Sequence, residues 1–225
     1  MNFKTLEDIL PLVEKHSRYL GGEINQIKKD LERAKLRFAL AFPDLYEIGT
    51  SHFGMQILYH ILNAHPDIAA ERVFAPGMDM DHHLRSSGRR LFSLESRLPL
   101  DRFDIIGFSL LYELNYTNIL TMLDLARIAF LSNQRDETDP LIIAGGPCTC
   151  NPEPVADFFD AIVLGDGEHV ILEMTQAWLT WQAGGLGVEA SLDGEPVMVG
   201  KPGWFEGRRG TLSWSPGTDA AAPRY

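Results

Sequence analysis

Cysteine is nearly missing from this chain: Cys148 and Cys150 are the only 2 in 225 residues, and they stand one residue apart. That spacing suits neither a structural disulfide nor a four-ligand zinc or iron–sulfur site. No apolar run is long enough to span a bilayer, and the N-terminus lacks a basic start followed by an apolar core, so a cytoplasmic location is the default expectation. A basic excess is missing as well. The formal net charge is −11, which argues against broad binding to nucleic acid or to an anionic membrane surface. Phosphate-cradling motifs are also lacking: there is no G-x-x-x-x-G-K-[ST], and no G-x-G-x-x-G follows the first apolar strand.

What is present belongs to an ordinary globular protein, with 45% hydrophobic and 23% charged residues and enough length for one sizeable core. The stretch Arg37 to Gly54, RFALAFPDLYEIGTSHFG, organises the rest. RFALAF reads as a strand buried on both faces, and Pro43 ends it. A polar loop follows, then an amphipathic helix from Thr50 or Ser51 to Asn63, with Phe53, Ile57, Leu58, Ile61 and Leu62 on its inner face. Further strands are expected at Glu71–Pro76, Asp104–Leu110, Leu141–Gly146 and Ala161–Asp166. Helices are expected at residues 4–15 (broken at Pro11), 78–86, 115–130 and 168–181.

Five short apolar strands alternating with helices predict an α/β fold: a flavodoxin-like, doubly wound, five-stranded parallel sheet of order 2-1-3-4-5. The switch point then lies between the first and third strands, so Asp44–Gly49 and Ser109–Tyr112 should face one another across a crevice. Residues 1–36 read as an N-terminal helical arm, 37–183 as the α/β domain, and 184–225 as an irregular tail without a period of two or of 3.6.

The strand ends exclude several users of this fold. A phosphorelay receiver needs an aspartate where Ser109 stands. A flavodoxin-type phosphate loop would be small and polar, whereas Asp44, Tyr46 and Glu47 are acidic or bulky. What remains is D-x-Y-x-x-G at Asp44, Tyr46 and Gly49, S-x-L at Ser109 and Leu111, and the pair Gly145-Gly146. Read alone, Gly145-Gly146 serves equally as a turn, and Ser109 also reads as a capping residue for the segment that follows. LGDGE, with Gly165, Gly167 and Glu168, reads on its own as a tight turn whose acidic residues suit a helix N-terminus. Asp81-His82-His83 reads as a solvated helix face rather than a metal site. His52 reads as a polar residue in a first helical turn rather than a ligand.

In order and placement these three motifs resemble the cobalamin-binding signature D-x-H-x-x-G, S-x-L and GG. Together with HSRYLGGEIN, ERVFAPGMDM, LFSLESRLPL, DIIGFSLLYELNYTN, IAGGPCTCNPEPVADFFDA and LGDGE, residues 16 to 182 resemble the N-terminal region of cobalamin-binding-domain radical SAM proteins. The resemblance implies that Asp44, Tyr46, Gly49, Ser109, Leu111, Gly145, Gly146, Gly165, Gly167 and Glu168 bind the cofactor, with no catalytic residue and no metal ligand from this chain. The glycine pair would let the nucleotide tail approach the backbone, and the serine hydroxyl would hydrogen-bond its benzimidazole.

Tyr46 stands where the signature has its cobalt-ligating histidine. A phenol with a pKa near ~10 is a poor ligand, so the resemblance implies base-off cobalamin with Tyr46 shielding or weakly ligating its lower face. The family's C-x-x-x-C-x-x-C, which holds an iron–sulfur cluster and leaves an iron open for S-adenosylmethionine, does not occur here. Those cofactors are therefore expected only in a full-length enzyme, whose radical SAM barrel would be the partner, in the same or a separate chain. The chain alone is expected not to be active, and GRRGTLSWSPGTDAAAPRY to be a truncated linker read out of frame. The alternative is a non-catalytic interaction or degenerate ligand-binding domain on the same fold. A flavin or nucleotide binder is the third reading, against which the acidic first loop speaks.

Overall fold

Strand β1 (Leu36–Phe42) sends Phe38, Leu40 and Phe42 to one side of the sheet and Ala39 and Ala41 to the other, so both faces of the strand are buried. Two apolar faces suit a sheet covered on both sides, and β1 is an interior strand of one. The computed structural model, which describes residues 5–183, 189–192 and 195–198, has a five-stranded sheet of order β2-β1-β3-β4-β5. Its other strands are β2 (Ile68–Phe74), β3 (Ile105–Ser109), β4 (Leu141–Gly145) and β5 (Ala161–Ile162), and every pairing is parallel. This is the flavodoxin-like arrangement that the alternation of strands and helices predicts.

Helices cover both faces. After β1 come the single turn α2 (Tyr46–Gly49) and the longer α3 (Phe53–Ala64); after β2 comes α4 (Met78–Ser87), after β3 α5 (Tyr116–Ala126), and after β5 α6 (Gly167–Gln182), while α1 (Leu6–Ile9) belongs to the N-terminal arm. One face of the sheet packs on α3 and α6 through Met55, Tyr59, Leu62, Ile171, Met174 and Trp178. The other packs on α4, α5 and the arm through Met80, Leu84, Ile119, Met122, Leu123 and the arm's Ile9. Each fully buried Phe or Leu stabilises the fold by about 1.5–3 kcal/mol relative to exposure.

The arm is broken where Pro11 stands: α1 gives way to a 3₁₀ turn at Leu10–Leu12. It is tied down by polar contacts as well as by its apolar side chains. The Tyr19 hydroxyl accepts from the Gly77 N–H at 2.9 Å, and Lys29 Nζ donates to the carbonyls of His65 and Ile68 at 2.6 and 2.7 Å.

The structure corrects several element boundaries and one helix face. The helix expected from Thr50 or Ser51 begins at Phe53, and the separate single turn α2 lies before it, with residues 50–52 between. Its inner face is centred on Met55, Tyr59, Leu62 and Asn63, while Phe53 is 78% and Ile57 43% exposed. The reason is polar satisfaction. Tyr59 Oη accepts from Ile27 N–H and donates to Ile27 O, and the Asn63 amide pairs with both backbone groups of Ala70, so two polar residues can turn inward. The helix after β3 stops at Ala126 because Arg127 takes a left-handed conformation (φ 60°), and β5 is only 2 residues long.

Within the segment read as irregular, β6 (Glu189–Leu192) and β7 (Glu195–Met198) pair antiparallel. Residues 184–188, 193–194 and 199–225, the last holding the stretch read as a truncated linker, lie outside the described residues.

Candidate functional site

Along the α3 and α6 side of the sheet the strand C-terminal ends leave a cleft of about 370 Å³. Its floor is made by Leu40, Gly107 and Ile143 from three neighbouring strands. One wall is the start of α3, with His52, Gly54 and Leu58; the other is the start of α6, with Gly167, Ile171 and Met174. Both helix N-termini therefore converge on the strand ends, as the topology of an open parallel sheet requires. The lip carries Ser109, Leu111, Gly145, Gly146, Thr149, Cys150 and Gly165.

The glycines open this space for different reasons. Gly107 has Phe38 beside it, and a Cβ there would lie 3.0 Å from the ring. Gly146 has φ 112° and ψ 178°, a conformation essentially reserved for glycine, and a Cβ on it would sit 2.9 Å from the Leu110 carbonyl oxygen. The close approach lets Leu110 O accept from the Cys148 N–H at 3.1 Å, which folds the chain back over the end of β3. Gly145 is different: an added Cβ would meet only Val163 at an ordinary 3.8 Å. Its small size is not required by the fold.

Ser109 pairs in register with Gly145 across β3 and β4, so the S-x-L and GG motifs meet at one point. No partner of the Ser109 hydroxyl is found among the described residues, whereas the Thr149 hydroxyl donates to Gly146 O at 2.7 Å. Of the residues expected from sequence, Ser109, Leu111, Gly145, Gly146, Gly165, Gly167 and Glu168 all line the cleft.

The first-loop residues do not. Asp44 Oδ1 accepts from Leu45 N–H at 2.7 Å and Oδ2 from Asn115 Nδ2 at 3.3 Å, so the loops after β1 and β3 are bonded together rather than held apart across a crevice. Tyr46 turns toward the arm: its hydroxyl bonds the Glu23 carboxylate and its ring meets Phe74 edge-on, centroids 5.3 Å apart. Burial, then the Glu23 contact, raises the phenol's pKa and keeps it neutral. Gly49 is wedged between Phe42 and Phe74, whose ring atoms would lie 2.6–2.7 Å from a Cβ. It is a packing glycine.

His52, read from sequence as a first-turn polar residue, is the N-cap of α3. Its Nδ1 accepts from the Met55 N–H at 3.2 Å. Burial pushes its pKa down, so the ring is neutral at pH 7, and an accepting Nδ1 places the proton on Nε2. Gly54 gives the ring its room, since a Cβ there would lie 2.9 Å from His52 Cε1. Gly54 and Gly107 are not among the residues expected from sequence, and His52 is expected there only as a first-turn polar residue; its place just before the apolar period of α3 is the usable signal for a wall of the cleft.

The electrostatics of the cleft are one-sided. Among the described residues no Lys or Arg lines it, while Asp166 stands at the N-cap position of α6 and Glu168 occupies its first turn. Acidic groups favour a helix N-terminus but repel a polyphosphate. The arrangement suits a ligand that is largely apolar and equipped with a few hydrogen-bonding groups. Among the described residues no cluster of three or more His, Cys, Asp or Glu is placed to hold a metal ion, and Asp81 bonds Arg85 instead. No helix among them is long and apolar enough to cross a membrane.

A family model described as the N-terminal region of radical SAM proteins matches residues 54–194. No curated protein matches. Among solved structures, the chain is similar to a 1.5 Å crystal structure of a cobalamin-binding protein from Desulfitobacterium hafniense DCB-2, with 14% identity and a TM-score of 0.39. The match covers 65% of this chain and 60% of that one.

Proposed function

The chain belongs to the family of N-terminal regions of radical SAM proteins, and from that premise we propose that it is a corrinoid-binding module. The observation that carries the reading is the convergence of Ser109, Leu111, Gly145 and Gly146 on one apolar cleft of about 370 Å³ between α3 and α6. Residues of this kind fit the nucleotide tail of cobalamin. Ser109 offers a hydroxyl uncommitted among the described residues, Gly145 and Gly146 expose backbone, and Leu40, Leu58, Ile143 and Met174 offer apolar surface to an aromatic base. Gly165, Gly167 and Glu168 would form the rim.

Asp44 and Tyr46 do not fit the ligand pair of the D-x-H-x-x-G signature. The Tyr46 hydroxyl is engaged by Glu23, and neither residue lines the cleft. In this reading the loop after β1 would supply no cobalt ligand to a base-off corrinoid, and the chain's share of the work would be to bind and orient. Bound cobalamin would supply methyl-transfer or radical chemistry, as cofactors generally supply the hard step. The iron–sulfur cluster and S-adenosylmethionine belong, in this proposal, to a radical SAM barrel in the same or a separate chain, because Cys148 and Cys150 lie too close together for the cluster motif.

A second reading, an interaction domain on a degenerate ligand-binding fold, is favoured by that same engagement of Tyr46 and Asp44 in purely structural contacts. Gel filtration after incubation with hydroxocobalamin separates the two. The proposal expects corrin absorbance to travel with the protein peak; a folded protein that elutes free of corrin favours the interaction domain.

A further inference from the structure

We infer that His52 is the hydrogen-bond donor that selects a corrinoid's nucleotide tail in the cleft, and that it is not a cobalt ligand. The inference rests on the reading of the cleft as a corrinoid-tail site and adds to it a residue that the motifs do not contain.

An imidazole has two nitrogens, and at His52 the structure commits one of them. Nδ1 accepts from the N–H of Met55, the third residue of α3, at 3.2 Å. The neutral ring then carries its proton on Nε2, and that N–H has no partner among the described residues. Binding a metal through Nε2 would require a lone pair there and the proton on Nδ1. Nδ1–H would then face the Met55 N–H, donor against donor, and the cap of α3 would be lost. Capping and cobalt ligation by His52 therefore exclude each other.

The donor role follows from what else lines the cleft. No Lys or Arg is there among the described residues, and the Thr149 hydroxyl is spent on Gly146 O. His52 Nε2 and Ser109 Oγ are left as the cleft's uncommitted side-chain N–H and O–H donors. The ring is packed at 5.6 Å from Phe42, and Gly54 leaves it space, so its edge is held rather than free to swing. A neutral N–H on a held ring suits an oxygen acceptor: the phosphodiester or ribose oxygens of the tail. Burial, which keeps the ring neutral, also keeps Nδ1 available as the acceptor.

Cobinamide, which lacks the tail, provides the comparison. His52→Asn keeps a good N-cap oxygen and removes the reach of Nε2–H. The expected result is hydroxocobalamin affinity about tenfold weaker, the worth of one buried hydrogen bond, with cobinamide affinity, melting temperature and the base-off visible spectrum unchanged. Gly54→Ala, which pushes the ring aside, should reproduce the selective loss. Equal weakening of both corrinoids, no weakening of either, or a changed cobalt spectrum in His52→Asn would overturn the inference while leaving the cleft as the corrinoid site. Failure of the unaltered chain to bind hydroxocobalamin would overturn both.

Discussion

The Tyr46 hydroxyl is hydrogen-bonded to the carboxylate of Glu23, a residue of the N-terminal arm. Glu23 in turn bonds Arg72 at 2.7 Å, and Arg72 bonds Glu95 at 2.7 Å and lies 5.0 Å over the ring of Tyr59. The residue that occupies the signature's ligand position is thus one end of a network joining the arm to β2. With Lys15 and Arg18 both on Glu47, the arm grips the whole loop after β1.

It follows that restoring the signature by sequence alone should not restore ligation. In Tyr46→His the imidazole would still sit beside Phe74 and Glu23, outside the cleft. Visible absorbance of the variant with hydroxocobalamin should keep its base-off form. A shift to a histidine-ligated spectrum would show that the loop turns toward the corrin on binding.

The adjacent glycines should behave differently. Gly146→Ala places a side chain in a backbone conformation that only glycine adopts readily and against Leu110 O, at a cost of about 1–3 kcal/mol. Gly145→Ala meets only Val163 at 3.8 Å, so urea unfolding should show stability close to that of the unaltered chain. Its methyl group stands at the cleft, and corrinoid binding should weaken. Equal stability loss in both variants would contradict this division.

A buried ion pair holds the far edge of the sheet. Arg135 and Asp160 have fully buried side chains, 3.0 Å apart. Asp160 also accepts from Ile142 N–H at 2.7 Å, and Arg135 donates to the carbonyls of Ala129, Phe130 and Phe158. Arg135→Met strands the carboxylate and three carbonyls, so about 3–5 kcal/mol of stability should be lost. Urea denaturation of the variant measures it.

His52 predicts one part of the pH dependence. Its pKa is lowered by burial in the folded state, so below the ordinary value of about 6.5 the unfolded chain binds the proton more readily. The stability it contributes is complete above that value and falls as pH drops toward the depressed folded value. Asp166, Glu168 and Cys150 share the cleft with it, but the shift itself comes from burial. Urea midpoints at pH 7.5 and 5.5 should differ less in His52→Asn than in the unaltered chain.

The order of the sheet was legible because RFALAF, DIIGFSL and LIIAGG are apolar without alternation, which only a sheet covered on both faces accommodates. Ser109 and the glycine pair were legible as strand-end residues for the same reason. The faces of α3 were not, because hydrophobicity cannot anticipate that Tyr59 and Asn63 find backbone partners at Ile27 and Ala70. Nor was the fate of Tyr46, which is decided by Glu23, a contact across 23 residues with no periodic signal. His52 was hidden by its double character: a first-turn polar residue from the sequence, and a wall of the cleft only once α3 and α6 are brought together.

In the function proposed above, the cleft between α3 and α6 receives the tail of a corrinoid. An equilibrium titration of hydroxocobalamin, comparing the unaltered chain with Ser109→Tyr, tests it most directly. Saturable binding with a base-off spectrum, abolished when the tyrosine fills the cleft while the melting temperature holds, is the predicted result. Binding that survives Ser109→Tyr in a folded protein would place the corrinoid elsewhere and contradict the account.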